Sequence, residues 1–401
     1  MAKIAGIIAE YDPFHAGHAY HIEETRRRSG ADGIVCVMSG AFVQRGGPAF
    51  LDKYARAEAA VRGGADLVLE LPPACASASA EGFAHGGVSL LAACGCIDTL
   101  SFGAETDDLQ LLEAAADALS DPLLTEDAKA FMREGRSYAA ALAAALEARD
   151  PAMAAVIATP NNMLAVEYLK ALKTVNGAAG ISPLAVKRVG AAYHDDEYRG
   201  EGLTGAAATG PEDPARPAYP SASSIRKAVR EGQYTGAEDY SLVLGPEAMA
   251  APLMSKLRTL AYIGADLTVY EDVSSDLAAR ILAAAPFTLS YAELCDRIVT
   301  RAFTLARVKR ALTHILLEIR KGDSRKAPAY LKVLALREGS PAVRAFAQKA
   351  LLPRITKDAD DTAGLAADSR FAQDIYHQMV FAAHGTALPD DFRRSPFVLH
   401  A

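Results

Sequence analysis

The sequence predicts an α/β fold: a Rossmann-like doubly wound parallel sheet, followed by a helical C-terminal domain. Three observations carry this expectation. Over residues 1–110 short apolar runs alternate with helix-length stretches. Beyond about residue 240 strand signals largely disappear. The chain has 401 residues, long for one core, and its 51% hydrophobic and 23% charged composition is globular rather than disordered.

The apolar runs Ile4–Ala9, Gly33–Met38, Asp66–Leu71 and Thr99–Phe102 read as buried parallel strands, whose two covered faces remove the usual polar alternation. His18–Arg28, Lys53–Arg62 and Glu81–Ala93 lie between them and are long enough for crossover helices. Residues 107–175 read as a mainly helical insertion that includes Ala139–Glu147 and Asn162–Lys173, and Leu184–Val189 is a further strand. Gly200–Pro220 is rich in Gly, Pro and acidic residues and reads as a loop. Ser221–Glu231 opens with capping residues and reads as a helix, and Pro353–Asp368 as a loop before a short final helix. The expected division is 1–235 for the sheet domain and 236–401 for the helical domain.

In such a sheet, ligands bind beyond the carboxyl ends of the strands. Directly after the first strand stands Glu10-Tyr11-Asp12-Pro13-Phe14-His15-Ala16-Gly17-His18, which opens the first helix. A helix start offers unpaired N–H groups and a positive dipole end, and both favour phosphate. Gly17 has no Cβ, so the chain can approach a ligand closely. His15 and His18 are three apart and can share a face, where two imidazoles can donate to phosphate oxygens.

These residues carry a resemblance. Gly6–His21, Ser39-Gly40-Ala41-Phe42-Val43-Gln44-Arg45-Gly46, Glu70-Leu71-Pro72 and Ser101-Phe102-Gly103-Ala104-Glu105 resemble, in order, the bacterial tRNA(Met) cytidine acetate ligase family of the HxGH nucleotidyltransferase superfamily. Pro160-Asn161-Asn162-Met163-Leu164, Lys187-Arg188, Tyr193-His194-Asp195 and Ser221-Ala222-Ser223-Ser224-Ile225-Arg226 continue the likeness. It covers residues 3–230 well and the rest loosely. Where the commonest family pattern has asparagine, this chain has Asp12, Ala16 and Ala41.

The resemblance implies an ATP-dependent enzyme that adenylates acetate and passes the acetyl group to the wobble cytidine of elongator tRNA(Met), giving N4-acetylcytidine with release of AMP and pyrophosphate. It implies ATP contacts at Ile8, Ala9, Glu10, Tyr11, Asp12, Pro13, Phe14, His15, Ala16, Gly17, His18, Ala19, Tyr20, His21, Gly103, Asn162 and Arg188. His15 and His18 are then the catalytic pair, and Ser221, Ser223 and Arg226 a second phosphate motif. Mg2+ accompanies ATP, without a dedicated carboxylate cage. Plainer roles stand beside these: a turn for Gly103, helix caps for Asn162 and the serines, and a surface ion pair for Arg188.

The net charge of −7 argues against nucleic acid as a partner, but residues 301–332 hold nine Lys/Arg against Glu318 and Asp323. Arg307, Lys309, Arg310, Arg320, Lys321, Arg325 and Lys326, with Arg45 and Lys53 near the ligand side, form a candidate tRNA surface, and Tyr330 could stack on a base. A solvated helix face is the alternative. Cys36, Cys75, Cys94, Cys96 and Cys295 lack metal-ligand spacing and read as thiols of a reducing cytoplasm, with no metal site. No stretch of ~20 apolar residues suggests a membrane span. Two other functions compete: a small-molecule adenylyl- or cytidylyltransferase, and a non-catalytic RNA-binding protein on the same fold.

Overall fold

A computed structural model of the chain describes residues 2–136, 138–188, 219–236 and 238–400. Tyr193-His194-Asp195 and nearly all of the 200–220 segment lie outside the described residues. Eight described strands form one sheet: β1 (Ile4–Ala9), β2 (Gly33–Ser39), β3 (Leu67–Leu71), β4 (Thr99–Ala104), β5 (Ser182–Lys187), β6 (Leu331–Arg337), β7 (Arg354–Ile355) and β8 (Phe397–Leu399). The order is β5-β4-β1-β2-β3-β6-β7, with β8 also on β6. The first five strands run parallel, so β1 lies between β4 and β2 at the point where the winding reverses.

Alternation along the strands explains the apolar runs. Ile4 and Ile8 of β1, with Val35 and Val37 of β2, face one core. Ala5 and Ile7, with Ile34, Cys36 and Met38, face the other. Both faces are covered, so neither set is polar. The first core also takes Leu112, Leu124, Leu146 and Leu169, which seats the helices of residues 109–174 on that side of the sheet. A third core unites the helices between residues 250 and 316 with Tyr376, Met379 and Val380 of Ala367–His384.

Two expectations for the C-terminal half are corrected. Leu331–Arg337 is a strand, and it pairs antiparallel with β3 from Leu67–Leu336 to Leu69–Val333. Its heptapeptide LKVLALR contains Lys332, which disguises a buried strand. The final helix is also not short, running 18 residues over Ala367–His384.

Lys332 is buried because carboxylates surround it. Its Nζ is 2.8 Å from Asp358, 3.3 Å from Asp391 and 3.6 Å from Glu70. Lys53 joins the same cluster, 3.1 Å from Glu70 and 2.7 Å from Asp391. Burial alone would lower the Lys332 pKa, but Glu70, Asp391 and Asp358 overcome it and raise it. This cluster fastens β6, with Asp358 and Asp391, to the ligand-side end of β3 and to the start of helix Lys53–Arg62.

Candidate active site

The site begins where β1 ends. The chain turns through Glu10–Phe14, with a cis Asp12–Pro13 peptide, and enters helix α1 (Ala16–Ser29) with His15 as its N-cap. His15 Nδ1 accepts the N–H of Gly17 at 3.1 Å, so an imidazole takes the role usually filled by Ser or Asp. His18 Nδ1 accepts the N–H of His15 at 3.3 Å. A ring nitrogen that accepts carries no proton, so each neutral ring holds its proton, and its one donor, on Nε2. The two rings stack with centroids 3.8 Å apart. Tyr11 meets the edge of His18 at 4.9 Å.

Gly17 has a role beyond ligand approach. A Cβ there would lie 3.0 Å from His15 Cε1 and 3.1 Å from its Nδ1. The missing side chain leaves room for the capping ring to fold back over the helix start.

Electrostatics keep both rings neutral. Burial, then the charges of Arg188 and Arg226, lowers the His15 pKa to about 3. Burial, then His15 and Arg188, lowers that of His18 well below the usual histidine range. His21, one turn further on, is lowered to about 4 by burial and Arg188, and its Nε2 lies 3.0 Å from Ser101 Oγ.

These rings line an open cavity with about 580 Å³ of atom-free space, part of it continuous with solvent. His15, Gly17, His18, Tyr20 and His21 form one wall, Gly103 of β4 and Val186–Arg188 a second, and Tyr219–Ser221 a third. The cavity thus sits at the carboxyl ends of β1, β4 and β5, beside the winding reversal. Arg188 is exposed, and among the described residues no carboxylate pairs with it. The arrangement offers neutral N–H donors, a helix start and one open guanidinium, a set suited to phosphate oxygens.

The HIGH nucleotidyl transferase family model matches residues 2–388. A protein of Acetivibrio thermocellus named tRNA(Met) cytidine acetate ligase is 36% identical, with 89% of each chain covered. One of the same name from Syntrophotalea carbinolica is 38% identical, covering 86% of this chain and 81% of its own. The chain belongs to the tRNA(Met) cytidine acetate ligase family. Two crystal structures of Thermotoga maritima TmcAL cover the whole of both chains. The apo form has a TM-score of 0.84 at 27% identity, and a form bound with alpha-thio ATP 0.81 at 25%.

Several residues singled out from sequence do not reach the cavity. Asn162 Oδ1 accepts the N–H groups of Glu105 at 2.8 Å and Thr106 at 3.3 Å, and its Nδ2 donates to Val156 O at 3.0 Å. It is not the helix N-cap, which is Thr159; it joins the end of β4 to helix Pro160–Thr174. Arg226 is buried and donates to Asp12 O and, at 3.0 Å, to Ser223 Oγ. Burial and the charge of Arg45 lower its pKa to about 10, although Asp12 and Glu10 oppose that. Ser221 lines the cavity and also caps Ala222–Arg230, accepting the N–H of Ser224 at 3.0 Å.

Asp12 also has a local explanation. Its Oδ1 accepts the N–H of Phe50 at 2.6 Å, and its Oδ2 lies 3.6 Å from Arg226. The carboxylate is turned into the protein and balanced by a cation. Ala16 occupies the first helical position half-buried, and Ala41 is buried in the helical core.

The RNA-facing expectations divide. Lys53 is 0% exposed and Tyr330 is buried with its hydroxyl 2.7 Å from Ser369 Oγ, so neither can meet RNA. Arg310 pairs with Asp272 at 2.8 Å, Arg325 with Glu81 at 3.1 Å and Lys326 with Asp323 at 2.7 Å. Arg307 donates to Asp272 O. Arg320 and Lys321 are exposed, and Lys309 is half-buried. Arg45 pairs with Glu10 at 3.1 Å. Next to it, Gly46 has φ +79°, and a Cβ there would lie 2.5 Å from the backbone of Lys309 and Arg310. Glycine thus lets the ligand-side loop touch the basic helix Leu305–Leu316.

Proposed function

We propose that this chain binds ATP in the His15–His18 cavity, forms acetyl-AMP from acetate, and acetylates the wobble cytidine of elongator tRNA(Met) to N4-acetylcytidine. One observation carries the placement. Two stacked imidazoles, each with Nδ1 held by the backbone, line a cavity at the winding reversal opposite Arg188. The relatives named tRNA(Met) cytidine acetate ligase and the alpha-thio ATP form of Thermotoga maritima TmcAL support the chemistry.

In the first step an acetate oxygen attacks the α-phosphorus and the bond to the β-phosphate oxygen breaks, releasing pyrophosphate. The protein positions the groups and stabilises charge; no side-chain nucleophile is required. The Nε2–H groups of His15 and His18 donate to phosphate oxygens, and Arg188 supplies the positive charge that neutral rings lack. In the second step the cytidine N4 amine attacks the acetyl carbonyl, AMP leaves, and an amine proton is released. Among the described residues no cluster of three or more His, Cys, Asp or Glu side chains could hold a metal ion. Mg2+ accompanies ATP as the ion of the substrate.

The tRNA meets the exposed cations Arg320 and Lys321, together with Arg45 and with Lys309 beside Gly46, and a reaction using ATP and tRNA is one of the cytoplasm. Among the described residues no helix is long and apolar enough to cross a membrane. The deciding experiment combines protein, ATP, acetate and elongator tRNA(Met), followed by mass spectrometry of the nucleosides. N4-acetylcytidine with stoichiometric AMP is expected, along with acetate-dependent ATP–pyrophosphate exchange. Exchange that ignores acetate but needs a phosphorylated metabolite would overturn the assignment.

A further inference from the structure

Arg56, in helix α2 (Lys53–Arg62), is 1% exposed and is the largest fully buried side chain among the described residues. All of its hydrogen-bond partners are backbone carbonyls. Nη1 donates to Glu10 O at 2.7 Å and Ser39 O at 3.0 Å, Nη2 to Gly40 O, and Nε to Leu51 O at 3.0 Å. Among the described residues it forms no ion pair. A cation removed from water and given only neutral partners is costly, and an apolar side chain of similar volume would avoid that cost.

The four carbonyls belong to three separate segments. Glu10 starts the turn from β1 to His15, Ser39 and Gly40 end β2, and Leu51 precedes α2. Two neighbouring contacts draw the same segments together: Asp12 Oδ1 takes the N–H of Phe50 at 2.6 Å, and Glu10 Oε1 takes that of Gln44 at 2.7 Å. The planar fork of Arg56 touches all three segments, and a lysine could not span them in the same way.

We propose that Arg56 is a positioning residue for nucleotidyl transfer: its fork fixes the Glu10–His15 turn and, through it, the placement of the His15 and His18 rings. The inference rests on the function proposed above. Two variants test it. Arg56→Lys keeps the charge and loses the fork, so kcat falls about 100-fold while ATP affinity stays within about threefold of wild type. Arg56→Met loses every donor as well, so kcat falls at least as far.

Both variants are assayed well below their melting temperatures, with side-chain 1H–15N spectra of His15 and His18 recorded beside the kinetics. Displaced imidazole resonances in both are expected. Lower melting temperatures with wild-type kinetics and unmoved resonances would reduce Arg56 to a scaffold residue and overturn the proposal. If Arg56→Met does not fold, Arg56→Lys decides alone. If the wild type gives no turnover, the failure belongs to the proposed function; ATP affinity and the imidazole spectra still judge Arg56.

Discussion

Glu105 and Asn162 exchange hydrogen bonds in both directions. Asn162 Oδ1 accepts the Glu105 N–H at 2.8 Å, and Glu105 Oε2 accepts the Asn162 N–H at 3.0 Å. Asn161 Nδ2 and Thr159 Oγ1 also donate to the Glu105 carboxylate. The pair locks the end of β4 to the start of the next helix, and Gly103, two residues before Glu105, is held in the cavity wall as a result. Replacing Asn162 by Ala leaves two N–H groups unpaired and should cost about 1–3 kcal/mol in a urea midpoint. Wild-type stability combined with a large loss of ATP affinity would instead mark Asn162 as a direct ligand contact.

Gly17→Ala should separate stability from activity. Alanine improves helix propensity by up to about 1 kcal/mol, but moving the His15 cap costs a similar amount, so the melting temperature should stay near wild type. The new Cβ displaces the His15 ring, and kcat/KM for ATP should fall about 10–100-fold. Unchanged kinetics would show that the ring position does not matter.

The histidines make a prediction about pH. His15 and His21 titrate in the folded chain at about 3 and about 4. An unfolded histidine titrates near 6.5, so the unfolded chain binds more protons over the interval between. The stabilisation these rings contribute is complete above about pH 6.5 and is lost as pH falls through the folded values. NMR titration should show both rings neutral from pH 8 to 5; a midpoint near 6.5 for His15 would refute its buried, accepting geometry.

Arg188→Ala should raise the Kd for ATP about 10–100-fold without lowering the melting temperature, because the guanidinium is exposed and has no carboxylate partner among the described residues. Isothermal titration calorimetry beside a thermal melt gives both numbers. A stability loss with unchanged affinity would reassign it to the scaffold.

Lys53 and Lys321 should behave oppositely. Lys53→Met breaks a buried ion cluster and should cost about 3–5 kcal/mol of stability. Lys321→Ala should leave stability unchanged, weaken tRNA binding and reduce its salt dependence. Salt titration of tRNA binding to the two folded variants checks the distinction.

The legible parts of the sequence were those with short-range causes. Apolar runs with two covered faces revealed β1 to β5, and the helix start after β1 pointed to the residues that line the cavity. Misreadings came from partners distant in the chain. Lys53 and Lys332 read as surface cations because Glu70, Asp358 and Asp391 meet them only through folding. Arg325 and Arg310 meet Glu81 and Asp272, carboxylates that the basic run itself does not contain. Arg56 gave no signal at all, since its partners are carbonyls, which every residue has.

The pairing of β6 with β3 has a consequence for synthesis on the ribosome. The flank of the nucleotide sheet is supplied by residues translated more than 250 positions after the strand they cover. Until they emerge, β3 presents a bare edge, and Glu70 and Lys53 lack the counterpart charges of Lys332 and Asp391. The growing chain must therefore keep a half-built ATP fold from sticking to its neighbours until β6 arrives.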